Sequence, residues 1–273
     1  MTHAIDLNAY LQRIGYDGPR APDLATLRAI TTAHVAAIPF ENLDPLLRVP
    51  VSLESEAVER KLVQEGRGGY CFEQNRLLLD VLLALGYQAS GLIARVLWMK
   101  PEDAVVAQTH MLLRVTLAGE SWLVDVGFGS MALSGALRLQ SDIVQVTGNE
   151  PFRLIESHGD WRMQAKVRDE WKTLYRFDLQ PREAIDYVVA NHYTSTYPAS
   201  HFLHGLIVAR TLADRRLGLR NSEFVVHITG GESTRRVLDS VSEIRQVLQE
   251  QFGIHLPQHP DLDRTLAALP LPE

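Results

Sequence analysis

Cys71 is the only thiol in this chain, and its setting is that of a covalent nucleophile. It stands in Arg67-Gly-Gly-Tyr-Cys-Phe-Glu-Gln-Asn75, where the glycines allow a tight backbone approach and a helix is expected to begin at the cysteine itself. A thiol at a helix N-terminus feels the positive end of the macrodipole, which favours the thiolate. The free N–H groups of that first turn can also stabilise an oxyanion. These are the requirements of a nucleophile in acyl transfer. A lone cysteine is more often a small buried hydrophobe, so the reading depends on a base within reach.

His110 opens a predicted strand and Asp125 ends the next, with a turn near Ala118-Gly119-Glu120 between them. With an even-numbered loop, Leu117 pairs with Glu120 and Asp125 faces Leu112; His110 then lies on the same face, one diagonal step of about 7–8 Å away. A three-residue loop would put the two side chains on opposite faces. In the first register Asp125 accepts from one imidazole nitrogen while the other faces the sulfur, in the order nucleophile, base, orienting carboxylate. Taken singly, His110 reads as an ordinary strand-end histidine and Asp125 as a turn residue before Gly127. The joint pattern carries the assignment.

The elements that must position these residues divide along the chain. Helices are expected after Asp6 (Leu7, Tyr10, Leu11 and Ile14 on one face), from Asp23 to Pro39, and around Ala57–Gln64. From Cys71 to Leu85 the sequence is apolar nearly all round, as in a helix buried on most sides. The rhythm then changes to strands at Leu92–Leu97, Met111–Leu117, Trp122–Val126, Phe152–Glu156, Trp161–Val167 and Leu174–Asp178, an antiparallel sheet or small barrel. A helix from Arg182 to about His192, strands at Leu206–Ala209 and Phe224–Ile228, and an amphipathic helix through Val241, Ile244, Val247, Leu248 and Phe252 complete the pattern.

With 273 residues, 46% hydrophobic and 22% charged, the composition is that of an ordinary globular protein. A net charge of −6 disfavours nucleic acid as a partner. No apolar stretch is long enough to cross a bilayer and the N-terminus has no basic and apolar leader pattern, so the cytoplasm is the expected compartment. One cysteine excludes an intramolecular disulfide and a cysteine-cluster zinc site. His201 and His204, and His255 and His259, have no carboxylate or thiol to complete a set, so no metal is expected.

At the residues that carry the chemistry, the sequence resembles the arylamine N-acetyltransferase family, in its bacterial form. The matching segments are the cysteine motif itself, Thr109-His-Met-Leu-Leu113 and Trp122-Leu-Val-Asp-Val-Gly-Phe-Gly129. Supporting ones are Arg13-Ile-Gly-Tyr16, Ile38-Pro-Phe-Glu-Asn-Leu-Asp44, Tyr175-Arg-Phe-Asp-Leu179 and Asn191-His-Tyr-Thr-Ser-Thr-Tyr197; beyond these the match is one of general character. The resemblance implies an α+β fold: a helical bundle at 1–86, an antiparallel β-barrel at 87–190 and an α/β lid at 191–273, around a Cys-His-Asp core like that of thiol proteases and transglutaminases.

It further implies that Cys71, His110 and Asp125 are the catalytic triad. Acetyl-CoA, the co-substrate, would acetylate the cysteine, and an arylamine or arylhydrazine would then take the acetyl group. Thr109, Gly127, Phe128, Gly129 and Ser130 would contact the acetyl donor, and Phe40, Val96, Phe128 and Phe202 would line the acceptor pocket. Ser130 departs from the glycine that many relatives carry. A homodimer is compatible with the pattern.

Gly127-Phe-Gly-Ser-Met-Ala132 fits a dinucleotide-binding string, but it follows a hairpin strand and opens no βαβ unit. A nest of backbone N–H groups for the CoA pyrophosphate is the better functional reading, beside that of a plain glycine-rich turn. Competing functions for the same triad are an amide synthase, transfer from another acyl-CoA, and a thiol hydrolase; a scaffold with an idle triad is the non-enzymatic reading.

Overall fold

The computed structural model describes residues 3–270. Eight α-helices are present among them: α1 (Leu7–Arg13), α2 (Leu24–Ala37), α3 (Leu43–Leu46), α4 (Ser55–Glu59), α5 (Cys71–Ala84), α6 (Ala184–Thr196), α7 (Val241–Glu250) and α8 (Leu262–Ala267). The first two start where carboxylates meet orphan N–H groups. Asp6 accepts from Asn8 and Ala9 N–H, and Asp23 accepts from Thr26 N–H. The helix expected over 57–64 is instead α4 continued by a wider π turn, Arg60–Gln64. Such turns re-aim side chains, and this one carries Lys61.

Strands β1 (Phe40–Glu41), β2 (Gln88–Val96), β3 (Gln108–Leu117), β4 (Glu120–Val124), β5 (Leu137–Arg138), β6 (Val144–Thr147), β7 (Glu150–Ser157), β8 (Asp160–Val167) and β9 (Glu170–Phe177) come before α6. Strands β10 (Ile207–Thr211), β11 (Arg215–Arg220), β12 (Glu223–Ile228) and β13 (Ser233–Val237) follow it. An eight-stranded antiparallel sheet, ordered β5-β4-β3-β2-β9-β8-β7-β6, forms a nearly closed barrel. A five-stranded sheet, β1-β10-β11-β12-β13, forms the last layer and takes β1 from the N-terminal part of the chain. The α+β architecture is therefore that anticipated. Strands β1, β5, β6, β11 and β13 and helices α3 and α8 were not anticipated; β13 is exposed along its length and β11 begins Arg-Arg, so neither carries the apolar alternation that betrays a half-buried strand.

The apolar residues collect into three cores. One lies between the helices and a face of the barrel sheet and takes in Phe72, Leu78, Val81, Met111, Leu113, Val115, Trp122 and Val124. The barrel interior holds Leu92, Leu112, Leu123, Phe152, Leu174 and Tyr175. The third, with Leu219, Leu248 and Phe252, lies between the last sheet and α7 and α8. In β3 and β4 the odd–even division between the first two cores is strict, as the pleat requires. His110 shares the parity of Leu112, and Asp125 that of Leu123.

Candidate active site

The β3–β4 turn decides the register on which the site depends. Leu117 pairs with Glu120, so the loop is the two residues Ala118 and Gly119. Both have positive φ, 49° and 80°, the conformation of the tight hairpin turns that match strand twist. Leu113 pairs with Val124, which puts Asp125 beyond Leu112 and on the face of His110. On the other side of β3, His110 pairs with Ala94 but Gln108 pairs with Arg95, so Thr109 is an extra, bulged residue. Its carbonyl lies 3.6 Å from the Cys71 sulfur.

Cys71 is the first residue of α5, as its sequence suggests. The first bond of the helical ladder runs from Gln74 N–H to the Tyr70 carbonyl, leaving the N–H groups of Cys71, Phe72 and Glu73 ahead of it. Glycine is needed in the approach: a Cβ on Gly68 would sit 2.2 Å from the Pro39 carbonyl oxygen.

His110 Nε2 and Asp125 Oδ2 are 2.7 Å apart, and Cys71, whose sulfur is 3.6 Å from the carbonyl of the adjacent Thr109, lies close enough to the imidazole to raise its pKa. With Nε2 engaged by the carboxylate, Nδ1 is the nitrogen left for sulfur. All three residues are nearly enclosed, at 4%, 2% and 1% exposure for Cys71, His110 and Asp125. Burial opposes charge on the imidazole, yet the Asp125 carboxylate and Cys71 outweigh it and push His110 up to about 10. Burial likewise disfavours the Asp125 anion, but His110, the Gly127 N–H and the Asn75 amide hold its carboxyl below the ordinary value. A buried charge pair in this geometry persists because the second carboxylate oxygen is met by two further donors, the Asn75 amide and the Gly127 N–H.

Linkage gives that shift a measurable sign. A group raised from 6.5 to about 10 on folding stabilises the fold fully below its unfolded value, and the contribution is lost as pH rises through the folded one. The stability difference between wild type and His110→Gln, from urea unfolding, should therefore be largest near about pH 6 and shrink steadily toward about pH 10. A constant difference across that range would contradict the buried ion pair.

Three further contributors are not singled out by sequence. Asn75, one helical turn after Cys71, donates to the Met111 carbonyl (2.7 Å) and to Asp125 Oδ1 (3.1 Å), while its own oxygen accepts from Val126 N–H (3.2 Å). It locks α5 to both strands of the hairpin. The available signal was an amide on a helix otherwise apolar nearly all round. Tyr175 lies against His110, centroids 5.0 Å apart; its buried hydroxyl faces Asp125 without completing a hydrogen bond.

The third is a buried ionic cluster under the start of α5. Lys61 Nζ is 2.6 Å from both Asp44 and Glu73, and Arg67 bridges Glu41 and Asp44 at 2.8 Å. Glu73 also accepts from Tyr70 N–H (3.1 Å), fixing the residue before the cysteine. Burial pushes the Glu73 carboxyl up to about 7 although Lys61 pulls it down. Removing that ammonium in Lys61→Met leaves the buried Glu73 carboxylate without a cation and Asp44 with Arg67 alone, and a loss of about 3–5 kcal/mol in urea unfolding is expected; a loss below about 1 kcal/mol would mean that the cluster is solvated.

The remaining predicted site residues converge here. The Gly127 backbone crosses directly over the cysteine: a Cβ there would lie 2.6 Å from Cys71 Cα and 2.7 Å from Asn75 Nδ2. Gly127→Ala should accordingly cost about 2–3 kcal/mol of stability and, by displacing the cysteine, about 100-fold in kcat/KM; wild-type kinetics in that variant would show that the contact yields freely. Phe128 stands edge-on to His110 at 5.1 Å and tilts against Tyr175. Phe40 and Phe202 lie 6.2 Å apart, and Phe202 is edge-on to Tyr70. Gly129, with φ 63°, faces the Phe40 ring, Ser130 follows it, and Val96 pairs with Tyr175. His201 is tilted against Phe202, centroids 4.1 Å apart, and His255 contacts the Glu65 carbonyl. Among the described residues no three His, Cys, Asp or Glu side chains are grouped to hold a metal, and no helix is long and apolar enough to cross a membrane.

The chain has relatives among known proteins. Residues 23–260 match a family model described as N-acetyltransferase. The arylamine N-acetyltransferase of Mycolicibacterium smegmatis is 47% identical over 257 residues, covering 93% of each chain. That of Escherichia coli K12 is 41% identical, over 91% of this chain and 88% of the other. The crystallised Mycobacterium marinum enzyme in complex with CoA superposes with a TM-score of 0.92 at 42% identity, over 96% of this chain and 98% of the other. With the thiol, imidazole and carboxylate joined in one buried site and likeness along nearly the whole length, the chain belongs to the arylamine N-acetyltransferase family.

Proposed function

We propose that this protein transfers an acetyl group from acetyl-CoA to an arylamine or arylhydrazine by a two-step, ping-pong route through an acetyl-cysteine at Cys71. The observation that carries the residue roles is His110, bonded at 2.7 Å to Asp125 through one nitrogen, with Cys71 near enough to raise the pKa of the ring and its sulfur 3.6 Å from the carbonyl of the adjacent Thr109. Cys71 is the nucleophile, His110 the acid and base, and Asp125 the residue that orients and charges the imidazole.

In the first step the Cys71 thiolate, paired with imidazolium, attacks the thioester carbonyl. The N–H groups at the start of α5 are available to the oxyanion. The C–S bond to CoA then breaks, and His110 supplies the proton that lets CoA leave as a thiol. The new thioester on Cys71 is neutral, so the imidazole loses one of the two partners that raised its pKa and is more readily in the neutral form that can accept a proton. In the second step the neutral aromatic amine attacks the acetyl carbon, His110 takes the amine proton, and the Cys71 thiolate leaves to restore the ion pair. Residues 127–130 and Thr109 border the donor side. Phe40, Val96, Phe128 and Phe202 form the apolar wall against which a planar amine packs.

Incubation with acetyl-CoA alone, followed by intact mass and peptide mapping, tests this reading. One acetyl group should appear on Cys71, persist in water, and depart when an arylamine such as aniline is added. His110→Ala should suppress loading. Absence of the adduct in wild type, or prompt hydrolysis without amine, would overturn the proposal.

A further inference from the structure

We propose that Arg216 and Glu150 form a buried clamp that sets the position of the Phe128–Met131 turn, and with it the donor side of the Cys71–His110 site; the inference rests on the acetyl-transfer reading above. Arg216 lies on β11, in the last sheet, yet its guanidinium crosses to the barrel. One terminal nitrogen donates to the Ser130 carbonyl and lies 3.6 Å from the Met131 sulfur, and the other pairs with Glu150 at the start of β7. Arg216 is 4% exposed and its Nε is buried without a partner.

A guanidinium taken out of water needs its charge and its donors met. Glu150 supplies the charge and the turn supplies the acceptors, while the unpartnered Nε marks a side chain held in place at some cost in hydrogen bonding. Only a planar fork can tie a loop of one sheet to a strand of its own barrel from a strand of another sheet; an ammonium is a single point charge.

What the fork holds matters for the chemistry. The turn begins with Phe128 edge-on to His110 at 5.1 Å and continues with Gly129, whose Cα faces the Phe40 ring. The position of the turn therefore sets the packing against His110 and against Phe40 at once. Arg216 touches no reacting atom, so it is a positioning residue. Displacement of such a support by about 1 Å is enough to slow a reaction on the order of 100-fold.

The test is the rate of Cys71 acetylation, followed by intact mass over a range of acetyl-CoA concentrations and referred to the folded fraction from circular dichroism. Arg216→Met should slow acetylation at saturation about tenfold or more and raise the KM for acetyl-CoA. Arg216→Lys should recover part of that loss. Glu150→Gln, which keeps the bond to Ser130, should slow acetylation about threefold. A merely structural role would lower the melting temperature and leave the saturated rate and KM of the folded fraction unmoved. Rates in Arg216→Met within about twofold of wild type overturn the clamp. If that variant does not fold, Glu150→Gln decides by the same criterion. Failure of the wild-type protein to load acetyl would instead remove the underlying reading.

Discussion

Cys71→Ala will carry no acetyl group after exposure to acetyl-CoA, and its turnover of arylamine will fall to the uncatalysed background, a loss on the order of 10⁵ or more. The size of the effect follows from the sequence and the site together. The chain holds no second thiol to take over the role. The imidazole proposed to activate the sulfur is hydrogen-bonded to a carboxylate, that of Asp125, and to no other nucleophile. Cys71→Ser is expected to be nearly as inactive, because an alkoxide is far harder to form beside the same base than a thiolate. Neither change should weaken the fold by more than about 1 kcal/mol, since the side chain acts structurally as one small apolar group. Intact mass reads the adduct and urea unfolding reads the stability. Acetyl loading in Cys71→Ala at any appreciable rate would remove the cysteine from the mechanism.

Asp125→Asn should lower kcat/KM by about 10³–10⁴-fold, with the fold retained. The reasoning lies in the donors around the carboxylate. Oδ1 accepts from Asn75 Nδ2 and from Gly127 N–H, so the carbonyl of the new amide is drawn to that side. Its NH₂ group is then turned toward His110 Nε2. An amide donor there forces Nε2 to be an acceptor and moves the ring proton to Nδ1, the nitrogen that must take the proton from sulfur or amine. The charge that raised the imidazole pKa is lost as well. Base and ion pair therefore fail together, which is why the loss should rival that of removing His110 itself. A pre-steady-state measurement separates the steps, and both should slow. A drop of less than about tenfold would mean that the carboxylate only packs against the ring.

Much of this arrangement was legible from residue types and spacing. The apolar run from Cys71 to Leu85 identified a central helix, and the glycines before it placed the sulfur at its start, because few other residues tolerate so close an approach to Pro39. The hairpin joining His110 to Asp125 was legible as a turn at Ala118-Gly119, but its length was not. One residue more would have sent the carboxylate to the opposite face. The left-handed conformation of both loop residues settles that point, and it depends on the strands already being paired. The bulge at Thr109 is equally local and has no compositional sign.

Contacts between distant segments left still less trace. Asn75, Lys61 and Tyr175 each sat in or near a motif, yet their partners lie on other elements. The same is true of Arg216, which reads in sequence as one of two adjacent surface arginines and in the fold as a buried link between two sheets. The alternation rule found no strand there because the burial that would impose alternation comes from a neighbouring sheet.

Sequence alone singled out the candidate nucleophile, the two residues that could serve it and the order of the strongly periodic helical and β segments, since these depend on residue chemistry and on periods of two and 3.6. Tertiary structure alone decided the hairpin register, the packing of Gly127 against Cys71 and the charge state of the buried imidazole. Those properties depend on distances across the fold and on exclusion of water, and neither is encoded by neighbours along the chain.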